Sequence, residues 1–261
     1  MKRNLVLNLA YDGSLFLGWQ KTLTGPSVEE TLEDCFQQIL QERISLQAAS
    51  RTDRGVHAEG QCVNFLTNTE NSLDAIKKGV NSLLPPSIRV LTLDEAPLCF
   101  HPTLHALKKE YHYRVCYNPI QQPKDRYFSW HVPYNLDLQK IEAATCYFLG
   151  EHDFSSFCNV RKNLRYQHKN RRLESIILLH PERGSLIFVI KGESFLYKMV
   201  RNIVGTLIYV GRGKLETEKI PIILESRSRS LAGVTAPAHG LTLKKIYYPD
   251  FSSLSPVLTG M

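Results

Sequence analysis

No apolar run in this chain approaches the eighteen or so residues that a membrane-spanning helix needs, so no membrane association is expected. The opening Met1-Lys2-Arg3 and the apolar residues after it imitate a secretory leader. Asn8 interrupts the run, Asp12 follows at once, and no small-residue cleavage site appears, so a leader is excluded. The six cysteines (Cys35, Cys62, Cys99, Cys116, Cys146 and Cys158) include no C-x-x-C pair. That scatter argues against a zinc site and a disulfide framework, and it fits a reducing cytoplasm. His101 and His105 stand four apart but lack a third ligand of the H-E-x-x-H kind, so they read as structural histidines and no metal is expected. A Walker loop and a Rossmann glycine pattern are also missing, which removes the usual reasons to expect a nucleotide cofactor.

What remains is an ordinary globular composition, 43% hydrophobic and 22% charged, which excludes disordered, collagen-like and coiled-coil chains. The 261 residues suffice for two domains. Thirty-two Lys and Arg against 25 Asp and Glu leave a net charge of +7, which suits a polyanionic partner but also occurs in ordinary enzymes.

The apolar periods switch in a readable order. Residues 5–11 read as a strand, and Ser27 with Glu30 forms a capping box before a helical stripe of Val28, Leu32, Phe36, Ile39 and Leu40. Strands are expected over 44–49 and 61–66. A second helix over 73–84 stops at Pro85-Pro86, and a last strand covers 88–93. This β-α-β-β-α-β order is that of ferredoxin-like, RRM-like units. The second half gives a similar series: a strand over 109–116, a helix capped by Asp137 that runs to Phe148, a hairpin from 172–179 and 186–191, helices over 196–210 and 216–225, and a strand over 241–248. The expected fold is therefore α+β. It has two ferredoxin-like halves with mostly antiparallel sheets, 1–105 and 106–261, joined near 97–106.

Five segments could carry chemistry. Residues 50–58, SRTDRGVHA, place Asp53 between Arg51 and Arg54. A hairpin turn explains the Asp and Gly but does not require flanking arginines, whereas nearby cations keep a carboxylate ionised for nucleophilic or electrostatic work. Residues 11–20, YDGSLFLGWQ, are either a glycine loop whose aromatics tuck into the core or a loop that stacks on bases and cradles phosphate. Residues 108–114, KKEYHYR, put Tyr111 and Tyr113 on one strand face among basic neighbours, as in base-stacking sheets, although strand tyrosines usually serve packing. Residues 195–205, FLYKMVRNIVG, set Arg201 so near an apolar stripe that partial burial and a carboxylate partner are expected. Residues 161–172 hold six basic residues and no acid, and are either a solvated loop or a phosphate contact.

Together, YDGSLFLGWQ, SRTDRGVHAEGQ, KKEYHYR, HDFSSF, FLYKMVRNIVG with GRGK, and APAHGL resemble the TruA-type tRNA pseudouridine synthases in order and approximate spacing, over nearly the whole chain. Ser50 departs from the Gly that many members carry, and 158–172 matches no family pattern. The resemblance implies a cofactor-free isomerase that converts uridine to pseudouridine at positions 38, 39 and 40 of the tRNA anticodon stem-loop, working as a homodimer. It implies Asp53 as the catalytic aspartate, Tyr111 as the aromatic that stacks on the target base, Arg201 as the basic partner of the aspartate, and Arg51 as the arginine beside it. Gly13, Trp19, Gln20 and His57 are the further expected substrate contacts. The target uridine must leave its stack before Asp53 can reach it, so base flipping is expected. With Asp53 in one half and Tyr111 and Arg201 in the other, a central cleft is the expected location. A non-catalytic RNA-binding protein would explain the charge and aromatics but would leave Asp53 and Arg201 without purpose. A nucleosidase would need a second carboxylate, and Glu59, the nearest, has no feature of a general acid.

Overall fold

The computed structural model describes residues 1–160, 166–251 and 254. The chain mixes α and β structure with mostly antiparallel sheet, and it divides into two compact units. One comprises Met1–Leu107 with Leu243–Met261; the other is Lys108–Thr242.

In the first unit β1 (Arg3–Tyr11) alternates so that Leu5, Leu7 and Leu9 are fully buried on one face. It is followed by α1 (Val28–Leu40), β2 (Gln47–Ala48), β3 (His57–Thr67), α2 (Leu73–Leu83) and β4 (Ile88–Ala96). The strand order is β4–β1–β3, antiparallel throughout, with the short β2 also on β3. Ser27 caps α1 by accepting from the Glu30 N–H, and Ser72 does the same for α2 through Ala75. The apolar stripe of α1 lands on this sheet, with the Phe36 and Phe65 ring centroids 4.7 Å apart.

Two sequence expectations shift here. The strand expected over 44–49 shrinks to β2 because the Leu46 N–H is taken by the Glu33 carboxylate of α1 and does not pair with a strand. The last strand, β10 (Leu241–Tyr247), was expected to close the second half, yet from Leu243 onward the chain returns to the first unit beside β3. There Tyr247 accepts from the Leu107 N–H and the Tyr248 hydroxyl donates to the Pro102 carbonyl.

The second unit contains β5 (Lys108–Cys116), β6 (Trp130–His131), α3 (Leu138–Thr145), β7 (Gly150–Asp153), β8 (Asn170–Leu179), β9 (Ser185–Gly192), α4 (Met199–Gly211) and α5 (Lys219–Ser226). Its strands run β5–β9–β8–β7, all antiparallel, with β6 parallel to β5. Helix α3 tightens into a 3-10 turn over Cys146–Phe148 rather than continuing as α-helix. Helix α4 starts at Met199 and not at 196 because Lys198 has φ 61°, a left-handed conformation that a helix cannot pass through. The helix is buried on nearly every side; only Arg201 and Tyr209 keep substantial exposure. Among the described residues, no helix is long and apolar enough to cross a membrane.

Candidate active site

In the first unit, the segments 11–20 and 50–58 meet. Gly18 and Asp53 form an isolated antiparallel bridge, and the Trp19 N–H donates to the Thr52 carbonyl at 3.0 Å. Gly18 has φ 109°, and a Cβ there would stand 2.8 Å from the Thr52 oxygen, so only glycine permits the approach. Gly13 is equally constrained, since its Cβ would lie 2.0 Å from the Val56 oxygen. The turn closes by a hydrogen bond from the Val56 N–H to the Asp53 carbonyl, with Gly55 at φ 77°.

Polar side chains hold this turn from beneath. Gln61, fully buried on β3, donates to the Ser50 carbonyl at 2.6 Å and accepts from the Ser50 N–H at 3.2 Å. The hydroxyls of Tyr11 and Thr52 share a hydrogen bond of 2.8 Å. Gln61 and Thr52 were not anticipated from sequence as supports. The available cue was a glutamine at an inward position of an otherwise apolar strand, since buried polar groups need partners.

The structure sorts the expected contacts of this unit. Asp53 is part-exposed, while Arg51 and Gln20 are exposed. Trp19 is 1% exposed and Phe16 5%, so the loop's aromatics tuck into the core, with Trp19 lying 6.3 Å from the Tyr11 ring. His57 is 3% exposed, and its Nδ1 accepts from the Gly13 N–H at 3.1 Å, with the Asp12 carboxylate 3.2 Å away. Trp19, Gly13 and His57 therefore join the two segments rather than offer an open surface. His101 and His105 are also occupied locally: each Nδ1 accepts a backbone N–H, from Thr103 and His101 respectively.

In the second unit, β5 sets Tyr111 and Tyr113 on one face. Tyr111 is 8% exposed and meets the Phe195 ring edge-on at 5.0 Å. Tyr113 is fully buried and donates its hydroxyl to the Pro237 carbonyl at 2.7 Å. Burial pushes the Tyr113 phenol well above its usual range, and the nearby Arg201 charge opposes that only in part. The Arg201 Nε donates to the Ala236 carbonyl at 2.7 Å, and the Ala236 N–H donates back to the Arg201 carbonyl at 3.1 Å. The sequence segment APAHGL thus supplies acceptors to both Arg201 and Tyr113, a role no local pattern announced.

The first five positions of the basic stretch 161–172 lie outside the described residues. In its described part, the Tyr166 hydroxyl accepts from the Tyr197 N–H at 2.9 Å, and the Arg171 guanidinium lies 5.5 Å from the Tyr166 ring.

A family model described as tRNA pseudouridine synthase matches residues 9–103 and 144–249. The chain is 53% identical over 247 residues to "tRNA pseudouridine synthase A 2" of Protochlamydia amoebophila, covering 94% of each protein. It is 39% identical over 246 residues to "tRNA pseudouridine synthase A" of Acetivibrio thermocellus, covering 94% of this chain and all of that one. It is 38% identical to the protein of the same name from Pelobacter propionicus, with the same shares covered.

Proposed function

The chain belongs to the tRNA pseudouridine synthase family and is an isomerase acting on tRNA, and from that premise we propose that Asp53 is its catalytic carboxylate. The substrate is a uridine at position 38, 39 or 40 of the anticodon stem-loop. The observation that carries this reading is the construction of the Asp53 turn. Two glycines that admit no Cβ, a buried glutamine and a tyrosine–threonine hydroxyl pair all serve to fix one part-exposed acid between two arginines.

The chemistry suits a single carboxylate. The C1′–N1 bond breaks, C5 of the same uracil bonds to C1′, the C5 proton leaves, and N1 gains one. Nothing is oxidised and no atom is added, so the reaction balances without an electron acceptor or a nucleotide cofactor. Asp53 serves as nucleophile, and the target base flips out of its stack to reach it, at a cost of a few kcal/mol. Tyr111, nearly buried against Phe195, offers a rigid ring for the flipped uracil to stack on. Arg201 serves as the basic partner of the reaction, and the exposed Arg51 and Gln20 contact the RNA backbone.

The two units are read as ferredoxin-like halves. In the first, the order β1-α1-β2-β3-α2-β4 with sheet order β4–β1–β3–β2 supports this directly. The protein acts as a homodimer in the cytoplasm, each copy presenting basic surface to the tRNA.

The deciding experiment compares the wild type with Asp53→Asn on transcripts carrying one uridine at 38, 39 or 40, followed by nucleoside analysis. Product should form at each of these positions with the wild type and at none with the variant, while tRNA affinity stays within a few-fold. Product at a normal rate from Asp53→Asn would end this assignment. Modification only at uridines outside the stem-loop would end the substrate assignment. Six to ten phosphate contacts would weaken binding roughly 10³- to 10⁵-fold between 50 and 200 mM salt.

A further inference from the structure

Arg201 is one of only two residues of α4 with substantial exposure, and its guanidinium is steered by a backbone carbonyl rather than by packing alone. That carbonyl belongs to a strap, residues 232–237, laid flat along the helix. The strap lies too close for side chains on either partner. A Cβ on Gly205 would stand 1.7 Å from the Val234 oxygen, and one on Gly233 would stand 2.6 Å from the Thr206 Cα. Hydrogen bonds join strap to helix at Gly233, Thr235 and Ala236. The Gly233 N–H donates to Thr206 Oγ1 at 2.9 Å, Thr235 Oγ1 to Asn202 Oδ1 at 2.7 Å, and the Ala236 N–H to the Arg201 carbonyl at 3.1 Å.

Arg229 locks this arrangement. Its Nη1 donates to the Gly233 carbonyl at 2.8 Å, and its Nη2 donates to Asn202 Oδ1 and Thr235 Oγ1, both at 2.9 Å. Asn202 is fully buried, and its own Nδ2 donates to the Phe157 carbonyl at 2.7 Å and to Asn159 Oδ1 at 2.8 Å, so its amide is spent in both directions. Every one of these Arg229 acceptors is neutral. Burial depresses its pKa from the ordinary arginine value, which marks the placement as electrostatically unfavourable. A planar fork of donors can bridge a strap carbonyl, a strap hydroxyl and a helix amide at once, which lysine's single ammonium cannot do.

We propose that Arg229 is a positioning residue for turnover: through Asn202 and Thr235 it fixes the strap whose Ala236 carbonyl aims the Arg201 guanidinium. This rests on the reading of Arg201 given above and adds to it the device that orients the cation.

The test is single-turnover kinetics on tRNA with Arg229→Met, Thr235→Val, Arg201→Met and the two double variants, alongside KM and thermal unfolding. Arg229→Met should slow the chemical step about 10- to 100-fold with KM within about threefold, the loss typical of a misaimed catalytic group. Thr235→Val, which removes a single link, should lose about 3- to 10-fold, and it serves as the readout where Arg229→Met does not fold. In the Arg201→Met background each loss should shrink to less than about twofold, because a group that acts only through Arg201 has nothing left to aim. Equal losses with and without Arg201, or an unchanged rate in both strap variants, would overturn the proposal. A normal rate from Arg201→Met alone would instead remove the role assigned to Arg201, an outcome distinct from failure of the strap.

Discussion

Asp53 and Arg201 are held in position by different means. The aspartate sits on a turn fixed by backbone hydrogen bonds to Trp19 and Val56 and by one glutamine beneath, with its own side chain part-exposed. The arginine sits on a helix buried almost all round, its guanidinium steered by a strap that itself depends on buried polar groups. In the first region the bonds that hold the turn run through backbone groups and neighbouring side chains. In the second, the functional side chain and the core of the unit share the same bonds. If the proposed roles hold, activity should separate from stability more cleanly in the first region than in the second.

The sharpest check is therefore a pair of measurements on Asp53→Asn. Turnover should fall by at least about 10³-fold, as when a group acting directly on the reacting atoms is removed. The thermal midpoint should stay within about 2 °C of wild type, since Asn keeps the shape of Asp and the backbone bonds of the turn are unchanged. A large drop in midpoint would show that the acid is structural and would erase the contrast.

A glycine pair comes next. Gly205→Ala drives a methyl group into the Val234 carbonyl, where the buried helix and its strap must separate, and it should cost about 1–3 kcal/mol or more. Gly13→Ala meets the Val56 carbonyl in a short 3-10 turn whose other two residues, Ser14 and Leu15, are exposed. It should cost less stability and show itself as lost turnover, through displacement of the aspartate turn. Denaturant midpoints for the two variants decide this, and equal losses would mean the loop is as rigidly built as the helix.

Gln61→Leu should follow, at about 1–3 kcal/mol, the penalty for leaving the Ser50 N–H and carbonyl without their partner. Its turnover should fall more than its tRNA affinity, because the turn that carries Asp53 loosens while the exposed arginines remain.

The last check is a pH dependence in the second region. Lys109, two residues before Tyr111 on β5, is pushed down to about 8 by burial, from 10.5. Between those values the unfolded chain keeps a proton that the folded chain has lost, so stability from this group rises with pH across the window and is lost as pH falls through about 8. Unfolding measured from pH 7.5 to 10.5 should show that rise in the wild type and a flatter profile in Lys109→Met.

This contrast also explains what could be read from the sequence. The aspartate turn was legible because its geometry demands particular residues close together. Gly55 stands two residues after Asp53, so the turn itself is a local pattern, whereas the contacts that Gly13 and Gly18 make with it come from 40 and 35 residues before the acid and were not visible. The strands and helices of the first unit were legible for the same local reason, as the Ser27 cap and the apolar stripes are set at short range. The burial of Trp19 and His57 was not, because only the meeting of two distant segments decides which side of a loop faces inward. Nor was the strap: Asn202, Arg229 and Thr235 are separated by up to 33 residues, and each looks like an ordinary polar residue until the others are placed beside it. The shortened β2 and the destination of β10 belong to the same class, since Glu33 and β3 claim them from far along the chain.

The return of the chain at Leu243 sets an order of assembly. The strands β1 to β4 of the first unit are all made before the strand that β3 still awaits. Until then β3 carries only the two-residue β2 on that side, leaving much of its edge open to stray pairing. A nascent chain halted before Leu243 would therefore carry a first unit, the earliest part made, still lacking the strand beside β3.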